Sequence, residues 1–284
     1  MTTLVVGAGY LGRRVAARLI ARGDRVIATT RSEAHFAAIR AIGAEPIRLD
    51  ILGPLGTDLL VYDRLIYCVG FDRKAGVPQR TVYVEGLARF LERFGRVTSR
   101  FVYTSSTGVY GQDDKSWVEE DSPTEPRGES GRACLEAEAL AIAAGATIVR
   151  LAGLYGPGRI IRRSAILAGE PVIGEPDKVV NLVQIEDAAA ATVAALDRGV
   201  SGRVYNVVDD RPIARDELYR LTAALLGVPG PRFVPAPASG GSSKDDVDRR
   251  VSNNRMKREL GVRLLFPDAI TGLAASIADR GGAR

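Results

Sequence analysis

Three glycines near the start of the chain are spaced to hold a phosphate. Leu4-Val5-Val6-Gly7-Ala8-Gly9-Tyr10-Leu11-Gly12-Arg13-Arg14-Val15-Ala16 is an apolar run that breaks into Gly-x-Gly-x-x-Gly and continues with helical apolar spacing. Each glycine has its own task in such a loop. Gly7 permits a tight turn, Gly9 lets a pyrophosphate approach the backbone, and Gly12 lets helix and strand pack closely. The N–H groups that open the helix receive the phosphate charge, which adds Tyr10 and Leu11 to the expected cofactor contacts. With 31 glycines in 284 residues the string alone is weak. Its place between a strand and a helix makes it a dinucleotide site.

The segment after the second strand bears on which dinucleotide. A free ribose 2′-hydroxyl is held by an acidic residue about 20 positions after the loop, whereas a 2′-phosphate needs arginine and small hydroxyls there. This chain reads Ala28-Thr29-Thr30-Arg31-Ser32. It has no carboxylate at that point, Arg31 offers a planar charged fork, and Thr30 and Ser32 offer hydroxyls. NADP(H) is favoured over NAD(H), although Ser32 also fits as a helix cap. Asp50, followed by Ile51, either meets an adenine amino group or is an ordinary turn residue. Cys68, Val69 and Gly70, then Ser105, and finally Leu151, Gly153 and Leu154, complete the expected cofactor contacts at later strand ends.

These residues need a scaffold, and the alternation of the chain supplies one. β-branched runs at Thr3–Val6, Arg25–Thr29, Glu45–Leu49, Arg64–Val69, Phe101–Ser105, Thr147–Leu151 and Arg203–Val208 are separated by amphipathic stretches at Gly12–Arg22, Ser32–Ile42, Thr81–Gly95 and Gly131–Ala144, with Glu186–Asp197 later. The pattern is that of an α/β protein with a Rossmann-like, doubly wound parallel sheet covered on both faces. From about Pro157 prolines divide the chain into short pieces, and Ser239-Gly240-Gly241-Ser242-Ser243 reads as a mobile loop. The expected organisation is a dinucleotide-binding lobe over 1–156, to which 181–208 returns. A smaller substrate lobe over 157–180 and 209–284 covers its ligand edge.

Composition narrows the function further. At 46% hydrophobic residues the chain can bury a large core, and it contains no uninterrupted apolar run of the length, about 18–20 residues, that spans a membrane. It opens on a strand with no charged leader, so cytoplasmic residence is expected. Cys68 and Cys134 are too few for a disulfide framework, and with one histidine the chain offers no clustered metal ligands. The formal charge of +5 is dispersed arginine interleaved with 34 acidic residues, which suits a small anionic substrate rather than nucleic acid. Long paired helices suggest a homodimer.

Further along, Phe101-Val102-Tyr103-Thr104-Ser105-Ser106-Thr107-Gly108-Val109-Tyr110-Gly111 and Arg150-Leu151-Ala152-Gly153-Leu154-Tyr155-Gly156-Pro157-Gly158-Arg159 resemble the extended short-chain dehydrogenase/reductase superfamily, and within it the NAD-dependent epimerase/dehydratase group. The resemblance continues through Asn181–Ala189, Tyr205–Val208 and Arg255–Gly261. It implies a Tyr-x-x-x-Lys dyad on the helix after the fifth strand and a Ser or Thr at that strand's end. The serine is present as Ser106. Counting back from Leu135-Glu136-Ala137-Glu138-Ala139-Leu140 puts Ser130 where tyrosine belongs and Cys134 where lysine belongs; a shift of two places gives Gly128 and Arg132. The dyad is missing in either register.

Either an acid/base comes from elsewhere, with Tyr83, Tyr110 and Cys134 as the candidates beside Ser106, or hydride transfer proceeds with the proton supplied by the substrate or water. Each candidate has a plainer role available: Tyr110 and Tyr83 as packing, Cys134 as a small buried hydrophobe. Thr107, Arg159, Arg162 and Arg163 are the candidates for touching a small anionic substrate, nucleotide-sugar-like by what the resemblance implies, with a solvated helix start as the other reading of the arginines. Trp117 lies on a long excursion placed to cover the cleft, and lone His35 falls near the adenosine end or in solvent. Two functions remain open: an atypical oxidoreductase or isomerase, and a dinucleotide-binding sensor or scaffold without chemistry.

Overall fold

The computed structural model describes residues 1–55, 62–94, 100–235 and 247–278. In chain order the first half runs β1 (Thr2–Val6), α1 (Gly12–Ala21), β2 (Arg25–Thr30), α2 (Phe36–Ala41), β3 (Glu45–Arg48), β4 (Arg64–Tyr67), α3 (Gly86–Phe94), β5 (Arg100–Ser106), β6 (Trp117–Val118), α4 (Glu129–Ala143) and β7 (Thr147–Leu151). It continues with β8 (Gly153–Tyr155), α5 (Arg163–Leu167), β9 (Val172–Ile173), β10 (Val179–Val180), β11 (Leu182–Gln184), α6 (Ile185–Arg198), β12 (Val204–Val207), β13 (Ile213–Ala214), α7 (Arg215–Leu226), β14 (Phe233–Val234), β15 (Arg250–Val251), α8 (Asn254–Leu260) and α9 (Ala269–Ala278).

Seven strands make one parallel sheet in the order β12-β7-β5-β4-β1-β2-β3. They are the seven read from the sequence. The chain leaves β1 toward β2 on one side and returns to β4 on the other, so the switch in winding direction lies between β1 and β4. Doubly wound folds bind ligands at the carboxyl ends beside such a point.

Alternation in the strands sorts side chains between the two faces. Val5 joins a core with Val15 and Leu19 of α1 and Ala188 and Leu196 of α6. Leu4 and Val6 join the opposite core with Leu87 and Phe90 of α3 and Ala137 of α4. A third cluster of Tyr155, Ile166, Val172, Leu182, Ile213, Leu218 and Leu273 lies outside both. Around it run the small pairs β8–β11, β9–β14 and β10–β13.

Several boundaries differ from the sequence reading for local reasons. The stretch expected as a helix from Ser32 begins as a single tight turn, Glu33–His35, because the Ser32 side chain accepts from Ala34 N and closes it; the α-helix proper starts at Phe36. The stretch from Thr81 opens as a π-helical turn over Thr81–Glu85 before α3, and Gly95 lies outside the described residues. Helix α4 begins at Glu129, two positions before the expected Gly131. The Pro-divided region also holds α5, α7 and α9, for which the periodicity predicts no helix, and α8 over most of the Arg255–Gly261 stretch to which the family resemblance extends. The Ser239–Ser243 loop lies outside the described residues.

Candidate functional site

The glycine loop folds as its spacing requires. Gly7 has a φ of 91°, and a Cβ there would stand 2.9 Å from the Cys68 carbonyl oxygen. A Cβ on Gly12 would overlap the Gly7 carbonyl oxygen, which is how closely α1 sits on the turn. Gly9 differs, since a Cβ there would meet nothing within 4 Å. The open side of Gly9 is the room a pyrophosphate needs. Thr29 fixes the loop from β2, its Oγ1 accepting from Gly7 N at 3.1 Å and its carbonyl from Ala8 N at 2.7 Å.

Around this loop lies a cleft of about 310 Å³. Of the residues expected to contact a cofactor, Gly7, Gly9, Thr30, Arg31, Ser32, Ile51, Cys68, Val69 and Gly70 line it, and Arg13, His35, Phe71 and Asp72 line it as well. Its walls are apolar around Ile51, Val69 and Phe71 and cationic at Arg13 and Arg31, a lining that fits the adenosine and phosphates of a dinucleotide. Among the described residues the Arg13 guanidinium has no ion-pair partner. Arg31 has one: its Nη2 bonds Asp72 Oδ2 at 2.9 Å. The Lys74 backbone amide, and then Arg31, hold the Asp72 carboxyl below the usual carboxylate range. Asp72 and Arg13 escaped the sequence reading. Arg13 was legible as the residue after the third glycine, but nothing in the primary structure places Asp72 opposite Arg31.

Other expected cofactor residues stand behind the cleft. Leu11 and Leu151 are buried in the core, Gly12 packs under the turn, and Leu154 packs against the same core. Gly153 is exposed on β8, which pairs with β11 and not with the main sheet. Asp50 does not reach the cleft; its carboxylate accepts from Leu52 N at 3.0 Å, the turn role that was its other reading. Ser105 is turned inward because its Oγ donates to Glu138 Oε1 at 2.6 Å. Tyr10 covers the loop instead of lining it. Arg14 and Arg159 stand 4.3 and 5.5 Å from its ring centroid, and its hydroxyl donates to the Pro157 carbonyl.

Two of the four acid/base candidates prove to be interior groups. Tyr110 is fully buried, its hydroxyl donating to Asn206 Oδ1 at 2.8 Å and accepting from Arg150 Nη1 at 2.8 Å. It belongs to a buried network in which Arg150 bonds Glu138 at 2.7 Å. Cys134 is buried too, and desolvation, aided by the Glu138 charge, pushes its thiol up to about 12. Arg132, the cation that could have activated it, is exposed and turned back onto the Arg127 carbonyl. The protein therefore has no phenol, amine or activated thiol where the dyad would stand on α4.

Ser106 and Tyr83 keep access. Ser106 is partly exposed at the end of β5, its Oγ accepting from Gly108 N and its own proton left to donate. Tyr83, on the π-helical turn, stands edge-on to Phe71 of the cleft wall with ring centroids 6.3 Å apart. Burial raises its phenol above the ordinary tyrosine value, opposed by hydrogen bonds to the Gln79 side chain and the Phe71 backbone. Such a phenol donates a hydrogen bond and is a poor base.

The expected substrate residues part company. Thr107 is buried beside Ser106, while Arg162 and Arg163 are exposed at the start of α5. Arg159 lies on Tyr10 of the glycine loop. Trp117 is exposed on β6 and does not line the cleft, whereas His35 does. Among the described residues no His, Cys, Asp or Glu group is arranged to hold a metal ion, and no helix is long and apolar enough to cross a membrane.

Comparison with known proteins agrees with this architecture. Protein YeeZ of Escherichia coli (strain K12) is 30% identical over 276 residues, spanning 94% of this chain and 96% of that one. The structure of a functionally unknown conserved protein from Silicibacter pomeroyi matches with a TM-score of 0.78 at 33% identity, covering 98% of each chain. DesIV, a dTDP-glucose 4,6-dehydratase from Streptomyces venezuelae solved with NAD and TYD bound, matches with a TM-score of 0.83 at 22% identity over 98% of this chain and 96% of that one, a likeness of fold. Residues 3–208 fit the model of the NAD dependent epimerase/dehydratase family, and the chain belongs to that family.

Proposed function

We propose that the protein holds NADP(H) in the cleft at the carboxyl ends of β1, β2 and β4 and uses it to reduce, oxidise or isomerise a small anionic substrate. The observation that carries this reading is the pairing of an open glycine loop with two arginines, Arg13 and Arg31, on the walls of one cleft. Arg31 replaces the acidic residue that would hold an NAD(H) ribose at that strand end. DesIV holds NAD on the same fold, which supports a nicotinamide dinucleotide as the ligand.

The bound dinucleotide supplies hydride chemistry. The protein supplies orientation, and Ser106 and Tyr83 offer O–H groups to polarise a substrate oxygen. With no lysine to lower a tyrosine pKa and burial raising that of Tyr83, the proton that a reduction takes up comes from water or from the substrate itself, and in an oxidation the proton released goes to water. Titrating the purified chain with NADPH and NADH tests the assignment. Tighter NADPH binding supports it, equal or tighter NADH binding refutes the preference, and no binding of either removes the enzyme reading.

A second reading is a dinucleotide sensor. The absence of a Tyr-x-x-x-Lys dyad from α4, together with the burial of Tyr110 and Cys134, favours it. A screen for NADPH oxidation across carbonyl, imine and nucleotide-sugar substrates separates the two, since tight cofactor binding without turnover on any class selects the sensor.

A further inference from the structure

Four arginines are buried among the described residues: Arg64, Arg150, Arg249 and Arg255. A guanidinium tolerates burial when a carboxylate accompanies it. Three of the four obey. Arg64 faces Asp24 at 2.7 Å and Asp197 at 3.5 Å, Arg150 faces Glu138 at 2.7 Å, and Arg255 pairs with Asp121 and with Glu120 at 3.5 Å. Arg249, only 7% exposed, has no carboxylate partner among the described residues. Its Nη2 donates to the Thr107 carbonyl at 2.6 Å, and its Nε is buried without a partner.

The contrast is sharpest at Tyr110, whose ring has two guanidiniums near it. Arg150 stands 5.0 Å and Arg249 6.0 Å from its centroid. Glu138 answers the first charge, and no carboxylate among the described residues answers the second. Burial lowers the Arg249 guanidinium to about 10, weakly opposed by Tyr110, and leaves it a cation at neutral pH.

Its position is fixed by main-chain contacts. Arg249 immediately precedes β15, which pairs with β6. The Asn181 side chain donates to the Arg249 carbonyl at 2.8 Å and accepts from Val251 N at 2.8 Å. The side chain is thereby delivered to Thr107, next to Ser106, at the carboxyl end of the sheet where this kind of fold takes its ligands.

We propose that Arg249 is the counter-charge for the substrate, seating a carboxylate or phosphate oxyanion of a small molecule beside Ser106 and Thr107. The proposal rests on the reading of the chain as a dinucleotide-dependent enzyme. A planar guanidinium with uncommitted N–H donors matches an oxyanion, and an incoming anion would complete the pair that the other buried arginines already possess.

The test follows the melting temperature of the NADPH-loaded full chain, with its adenosine cleft occupied, as inorganic phosphate, succinate or UDP is added to wild type, R249M and R249K. At least one anion is expected to raise the wild-type value saturably, with an apparent affinity at least tenfold weaker in R249M and partly kept in R249K, the size of a lost charged hydrogen bond. A response to succinate marks a carboxylate, to phosphate a simple phosphate, and to UDP alone a nucleotide diphosphate. Without anion, R249M should melt within about 3 °C of wild type, since the charge it removes is unpaired. The proposal is overturned by an equal anion response in R249M, by no response in wild type that binds NADPH, or by an R249M that melts far lower, which marks a structural staple. If NADPH does not bind, the cofactor reading fails, and the same titration of the unloaded chain still decides the role of Arg249.

Discussion

The Arg31 guanidinium and the Asp72 carboxylate meet at 2.9 Å on the wall of the cleft, one from the end of β2 and the other from the segment after β4. Asp72 partly neutralises the charge that Arg31 offers to a 2′-phosphate and presents an acceptor to a free 2′-hydroxyl. Arg31→Ala should weaken NADPH binding roughly 10- to 100-fold, as for a lost charged hydrogen bond, and leave NADH nearly unchanged. Asp72→Asn should shift the ratio toward NADPH. Fluorescence titration with both cofactors checks both, and an unaltered ratio in either variant sinks the assignment. The pair is exposed, so neither change should move the melting temperature appreciably.

Gly9 and Gly12 should fail differently. Gly9→Ala places a methyl in open space and should fold with wild-type stability while losing dinucleotide affinity. Gly12→Ala drives its methyl into the Gly7 carbonyl and should lower the melting temperature as well as the affinity. Calorimetry beside cofactor titration separates the two, and a Gly9→Ala chain that binds normally would show that the loop is not the phosphate seat.

The Glu138–Arg150 pair, 2% and 5% exposed, is a structural device. Removing one partner leaves a buried charge alone, so Glu138→Gln should cost about 3–5 kcal/mol in urea unfolding. Replacing both residues with methionine should restore part of that loss. A single substitution that costs nothing would mean that the network is not formed.

Asp209, 2% exposed at the end of β12, is raised by desolvation from 3.8 to about 8. The unfolded chain therefore loses this proton first, and the stability it contributes below pH 4 declines as pH rises to about 8. Asp209→Asn should flatten the decline and gain on wild type at pH 8. Denaturant unfolding across that range checks the sign, and parallel curves for the two proteins would contradict it.

Cys68 and Cys134 are buried, and desolvation pushes both thiols up to about 12. The folded protein should resist a thiol reagent at pH 8 and react only in denaturant. Rapid labelling of the native chain at Cys134 would reopen its candidacy as an acid/base.

The sheet and the glycine loop are legible in the amino-acid sequence alone. Both are written in short-range patterns: β-branched runs with a period fixed by strand geometry, and glycines whose spacing matches one turn. The missing Tyr-x-x-x-Lys dyad was legible for the same reason, since a dyad on one helix is a local spacing. Tertiary structure alone decided which side chains have partners. Ser105, Tyr110 and Cys134 looked available as a sequence, and only packing against Glu138, Arg150 and Asn206 turned them inward. Asp72 reaches Arg31 across 41 positions, and Arg249 reaches Thr107 across 142. Contacts at that separation follow from how β4 and β15 are laid beside other strands, a relation that no local pattern encodes. The burial that leaves Arg249 without a carboxylate among the described residues is likewise a property of the assembled fold.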